Sequence, residues 1–392
     1  MANVPQEQQH HMIRILQFLI YSKRPLLLEE AVDIIAVQPS HKPQFDPQNR
    51  MPVPGEILKC CSSLVLINTK TRYGQHVMEL QLAHFSVKEY LTSNRLDRNI
   101  SNYFEEINAR GTIAETCLGY SLCLEYTLSY EMIIQKYPMA TYAATQGITN
   151  AVITEEQRTA VQNLSIELFR TEIAWKTFFQ LHRSAAYFVK EESSALLYAS
   201  WRGLQCVVQM LLNEGADVNA EIRGGNETYG NALEAASYGG HEKIVQMLLD
   251  KGADINSQSS FYGTALEAAS VHGHENIVQI LLDKGADIDA QSYHYGTALQ
   301  IASANRHENI VQILLDKGAD IDAQSYRYGT ALQAASGSGH EKIVQILLDK
   351  GADVNAHGGI YENAFQAASK KGHKKIVQIL LDSGASRKRR RH

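Results

Sequence analysis

Apolar and polar positions change rhythm halfway along the chain. From Ser194 onward, short apolar stripes at helical spacing recur in pairs, as in Leu266, Ala268 and Ala269 followed by Ile277, Val278, Leu281 and Leu282. Such spacing puts one buried face on each of two short helices. A tract GAD(V/I)(N/D) follows each pair, beginning at Gly215, Gly252, Gly285, Gly318 and Gly351, with a truncated GAS at Gly384. Successive starts lie 37, 33, 33, 33 and 33 residues apart, the first longer because 220–230 carries four extra residues. Neither helix of a unit can bury its stripe alone, so the period predicts stacking, with six units over 194–386. Thr264, Thr297 and Thr330 stand at the N-cap of the first helix, where a hydroxyl accepts an orphaned backbone N–H, and Asn231 and Asn363 take that place in two other units. Gly285 and its counterparts follow the second helix, where positive φ is needed. Alanine pairs permit close approach on one side and leucine pairs fill space on the other, which predicts a curved stack.

A 33-residue unit with two short helices resembles the ankyrin family over about half the chain. The family's first-helix signature TPLHxAA appears as TALEAAS at 264–270 and TALQAAS at 330–336, so its proline and histidine are both replaced. Hydrogen bonds made by that family histidine therefore do not carry over. The turn between helices keeps glycine at 240, 273, 339 and 372, but the fourth unit has Arg306. Positive φ at an arginine costs on the order of 1 kcal/mol, so Arg306 is either tolerated strain or a contact residue.

The first half follows another grammar. Helices are predicted over 11–21, 29–37 and 56–64, then two β-rich runs over 64–67 and 77–82 around Tyr73-Gly74, then an amphipathic piece over 84–91. Three helices followed by a hairpin form a winged-helix-like arrangement. PLLLEEAVDIIAV (25–37), GEILKCCSSLVLI (55–67) and ELQLAHFSVKEYL (79–91) resemble the winged-helix segment of fungal NACHT–ankyrin receptors. IAETCLGYSLCL (113–124) and YPMATYAA (137–144) resemble their helical linker. The resemblance implies nucleotide sensing for His84, but no GxxxxGK[ST] tract is present to cradle a triphosphate. The chain thus looks like the back half of such a receptor, and no nucleotide is expected without a separate NTPase core. Residues 100–193 read as helices capping the stack, with Trp175, Phe178, Phe179 and Leu181 as a core cluster or an aromatic pocket. The expected class is mostly α: a winged-helix-like domain (1–99), a helical linker (100–193), an ankyrin solenoid (194–386) and a basic tail (387–392).

No GxSxG, HExxH, GxGxxG or CxxC tract occurs, and no enzyme, cofactor or metal is expected. His241, His274, His307, His340 and His373 recur once per unit, too far apart to converge on one ion, so a structural role is expected. Positions shared by all copies serve stacking, which assigns Tyr229, Tyr262, Tyr295, Tyr328 and Tyr361 to a ladder. Positions that vary are free for recognition: Phe261, Tyr293, His294, Tyr326, Arg327 and Ile360 at connector tips, and Tyr238, His272, Asn305, Lys370 and Lys371 at first-helix ends. Tyrosine and arginine favour interfaces, so a protein partner on the concave face is expected; the alternative is a merely solvated surface.

Charge refines the picture. The net charge is −5, yet Arg387, Lys388, Arg389, Arg390 and Arg391 supply five of the 37 basic residues, leaving a body of −10. Units 194–386 hold 14 basic against 22 acidic residues. An acidic body disfavours nucleic acid as partner, although a winged helix keeps DNA binding as the lowest-ranked alternative. The basic run is either a nuclear-import signal or a solubilising cap. No apolar run reaches the roughly 18 residues of a membrane helix. Five cysteines without a CxxC pair, and an N-terminus without the basic start of a signal peptide, point to the cytoplasm or nucleus.

Overall fold

A computed structural model describes residues 6–57, 63–72, 75–182, 194–224, 227–259, 263–292 and 296–386. The chain divides into two compact units, Met1–Glu191 and Glu192–His392.

In the first unit, helix α1 (Gln6–Tyr21) leads into the two-residue strand β1 (Leu26–Leu27) and helix α2 (Leu28–Ala36). Strands β2 (Val65–Arg72) and β3 (Gln75–Leu82) form an antiparallel hairpin, and β1 adds to β3, giving the sheet order β1-β3-β2. The hairpin runs longer than its apolar residues predict. Asn68, Thr69 and Lys70 keep pairing although all three are exposed, because backbone groups make the ladder and solvated strand positions need no apolar side chain. The expected third helix at 56–64 falls largely outside the described residues. Helix α3 (Phe85–Leu91) follows, and then α4 (Arg98–Phe104), α5 (Glu106–Leu122), α6 (Tyr130–Lys136), α7 (Ala140–Thr154), α8 (Thr159–Arg170) and α9 (Glu172–His182). Helices α5 and α7 form the central pair. Gly147 permits their approach, because a Cβ there would sit 3.0 Å from Cys117 Cβ.

A buried polar junction ties residues near the start of this unit to its later helices. Asp33, fully buried, accepts from Arg50 Nε at 2.5 Å and from Tyr120 Oη at 2.5 Å. Burial raises the Tyr120 phenol, so it stays a neutral donor to the carboxylate. Tyr142 Oη donates to Ser22 Oγ at 3.0 Å, and Arg14 Nη1 closes the carbonyl end of α2 through Val37 O at 2.5 Å. Trp175, Phe178, Phe179 and Leu181 are buried, with Trp175 stacked on Phe169 at 5.0 Å between centroids, which makes the cluster core rather than a ligand pocket.

The second unit contains six helix pairs among its described residues, from Ala195–Arg202 with Gln205–Asn213 to Ala364–Lys371 with Lys374–Asp382. N-caps lie where the sequence placed them: the Thr264 hydroxyl accepts from Glu267 N at 3.2 Å, and Asn363 Oδ1 accepts from Gln366 N at 2.9 Å. First helices pack more closely on each other than second helices do, because Ala235, Ala268, Ala302, Ala335 and Ala368 bring little bulk to the seam. First-helix ends, with connector residues Arg327 and Tyr328 beside them, therefore lie on this more closely packed, inner side. Hydrogen bonds link successive units at regular intervals. The last residue of each GAD(V/I)(N/D) tract accepts a backbone N–H one unit on, as in Asn219 Oδ1 from Asp254 N at 2.8 Å and Asp289 Oδ1 from Asp320 N at 2.9 Å.

Candidate functional site

Each recurring histidine reaches back one unit. His241 Nε2 lies 2.9 Å from Trp201 O, His274 Nε2 3.1 Å from Tyr238 O, and His340 Nε2 3.0 Å from Ala304 O. A carbonyl can only accept, so Nε2 carries the proton and the imidazole acts as a strut. Burial lowers the His241 pKa and keeps that ring neutral. Among the described residues no group of three His, Cys, Asp or Glu side chains is placed to hold a metal ion.

The residue where the family places histidine works differently from copy to copy. Gln300 accepts from Thr297 N at 3.2 Å, while its amide donates to Ala323 O at 2.7 Å and Gly329 O at 2.9 Å in the next connector. Gln333 repeats this, donating to Ala356 O at 2.8 Å. Glu267 has no proton to donate when ionised: one oxygen accepts from Thr264 N at 2.8 Å and the other from Ser292 N at 2.9 Å. Burial pushes its pKa up to about 7 and that of the equivalent Glu234 up to about 8.

The predicted recognition residues separate into groups. Tyr238 is half-buried against Leu197, Ile222, Ala235 and Ala268, and exposed His272 meets its ring edge-on at 4.3 Å. Asn305 is exposed and donates to its own helix at Ile301 O. Arg306 adopts φ 66°, the strained conformation its position predicts, and borders a hollow of about 330 Å³ with Glu308 and Lys342. That hollow is separate from the one Arg327 lines. Phe261, Tyr293, His294 and the basic run Arg387, Lys388, Arg389, Arg390 and Arg391 lie outside the described residues. His84 sits on the first unit, exposed, where Nδ1 accepts from Ser86 N at 3.2 Å and caps α3.

One group converges. Tyr326 is 82% exposed at a connector tip, and beside it Arg327 lies over the Tyr328 ring at 5.4 Å. In the next unit Lys370 lies over the Tyr361 ring at 5.4 Å. Arg327 and Lys371 share a hollow of about 230 Å³ floored by both tyrosines. Tyr328 and Tyr361 were missed as surface residues because recurrence pointed to stacking alone. Both rings are half-buried and carry a cation on one face.

The family model "Ankyrin repeats (3 copies)" matches overlapping segments that together span 172–391, more than half of the chain. The chain belongs to the ankyrin-repeat family. A curated relative, "Azaphilone pigments biosynthesis cluster protein L" of Monascus ruber, is 34% identical over 247 residues, which is 57% of this chain and 51% of that protein. The chain thus spans about half the length of the curated relative it matches. Among solved structures, the human ASB11 ankyrin repeat domain is similar at 29% identity and a TM-score of 0.45, over 50% of this chain and 87% of that one. Ankyrin repeats suggest a role in protein–protein interaction, and no described helix is long and apolar enough to cross a membrane.

Proposed function

We propose that this ankyrin-repeat chain is a non-enzymatic adaptor that binds a protein partner through its concave face and connector tips, in the cytoplasm or nucleus. The observation that carries the reading is the exposed Tyr326–Arg327 tip beside Lys370 and Lys371. It places large, polar-tipped side chains on a frame already held by hydrogen bonds, so little ordering entropy opposes binding. Affinity purification of the full chain beside a Tyr326→Ala/Arg327→Ala variant tests it. Proteins held by the wild type and lost by the variant support the site; identical captures remove it. Both side chains are exposed, so the variant keeps its fold.

A second reading treats the first unit as the regulatory part of a NACHT-type nucleotide switch, acting with a separate NTPase core. Its support is the order β1-β3-β2, with β1 between the first two helices and a hairpin after them, as a winged-helix-like segment requires. An NTPase captured independently of Tyr326 and Arg327 supports this reading, and its absence from every capture removes it.

A further inference from the structure

Several lysines on or just after the second helices pair with a carboxylate inside the stack. Lys317 meets Asp283 and Lys350 meets Asp316, each at 2.8 Å, while Lys342 reaches Glu308 at 3.3 Å and Lys375 reaches Glu341 at 3.6 Å. Every one of these pairs joins a unit to its predecessor. The cations on the inner side differ. Among the described residues, no carboxylate lies within ion-pairing distance of Arg327, Lys370 or Lys371. No Asp or Glu lines the hollow that Arg327 and Lys371 share, although exposed Glu362 follows Tyr361 in the chain.

The shape of that hollow is specific to its place in the stack. Where other units carry Trp201, Tyr238, Val271, Ala304 or Lys370, the fifth has Gly337. A Cβ at this position would meet Ala367 Cβ at 3.6 Å and Tyr361 Cε2 at 3.9 Å, so a methyl group fits and a longer side chain enters the space. Ile360, 58% exposed, forms an apolar lip. The tyrosine rings beneath Arg327 and Lys370 limit where the cations swing, which lowers the entropy lost on pairing.

We propose that this pocket between the fifth and sixth repeats is a subsite for a carboxylate side chain of an acidic, extended partner segment, with an apolar neighbour resting on Ile360. The proposal rests on the adaptor reading and names the partner's chemistry. Charge complementarity decides it: in an acidic stack, Arg327 and Lys371 gathered without a carboxylate partner at one hollow favour an anion there.

Panning a displayed random-peptide library against the full chain tests it. The expected result is enrichment of Asp or Glu at one position beside an apolar residue. That enrichment falls to library background on an Arg327→Gln/Lys371→Gln variant, and also on Gly337→Leu, which blocks by volume instead of charge. An unchanged acidic preference in both variants, or wild-type ligands with no acidic preference, overturns the subsite while leaving the adaptor reading intact. Failure to select any peptide overturns both.

Discussion

The buried carboxylate of Glu267 makes stability depend on pH in a direction that is simple to test. Its neighbours in the next two units are Gln300 and Gln333, so Glu267→Gln installs a residue the same scaffold already accepts. In the Gln300 copy the Ser325 amide donates to Gly329 O at 2.9 Å, whereas the Ser292 amide turns to Glu267 instead. Glutamine at 267 can donate to the following connector as Gln300 does, and release Ser292 N to Gly296 O. The magnitude follows from the shift of the carboxyl from its ordinary 4.5 to about 7, caused by burial. Between those values the folded chain holds a proton that the unfolded chain has released. Stability is therefore fully present below about pH 4.5, falls as pH rises through about 7, and levels off above it. At about 1.4 kcal/mol for each pH unit, the loss approaches about 3 kcal/mol. Urea unfolding of wild type and Glu267→Gln at about pH 5 and about pH 8 isolates this term, since Glu234 is common to both chains and cancels. The variant's advantage is expected to grow by roughly 3 kcal/mol between the two conditions. An advantage that is the same at both, or a variant less stable at the higher pH, refutes the reasoning.

Two further predictions concern stability. Arg306→Gly relieves a side chain held at φ 66° and should raise the stability of the stack by about 0.5–1 kcal/mol, read as a higher urea midpoint; a lower midpoint would show that the Arg306 side chain contributes more than its strain costs. Asp33→Ala leaves Arg50 and the buried Tyr120 hydroxyl without their acceptor and should destabilise the first unit by about 3–5 kcal/mol, measured by denaturation of the full chain, with little change in the exchange protection of the repeats.

Much of the second unit was legible because each copy repeats the same argument. A threonine or asparagine before an alanine pair, a glycine after a leucine pair and a fixed period leave few alternatives for helix starts and stops. The first unit offered less. The hairpin from 65 to 82 includes exposed polar residues whose pairing is made by backbone groups, and hydrophobic periodicity does not register that. The two-residue β1 carries no sequence signal of its own; Leu26 and Leu27 become a strand because β3 lies alongside.

By itself, the sequence determined the repeat, its period, its caps and the strained turn at Arg306, since these depend on local backbone geometry and on spacing along one chain. It also marked Arg327, Lys370 and Lys371 as variable. Only the tertiary structure decided that Arg327 and Lys371 face one hollow, that Tyr328 and Tyr361 lie beneath the cations, and that Glu267 is buried where Gln300 makes a neutral link. Those properties belong to the contact between one unit and the next. Residues as far apart in the sequence as Arg327 and Lys371 meet there, and the local environment, more than residue type, sets both charge state and exposure.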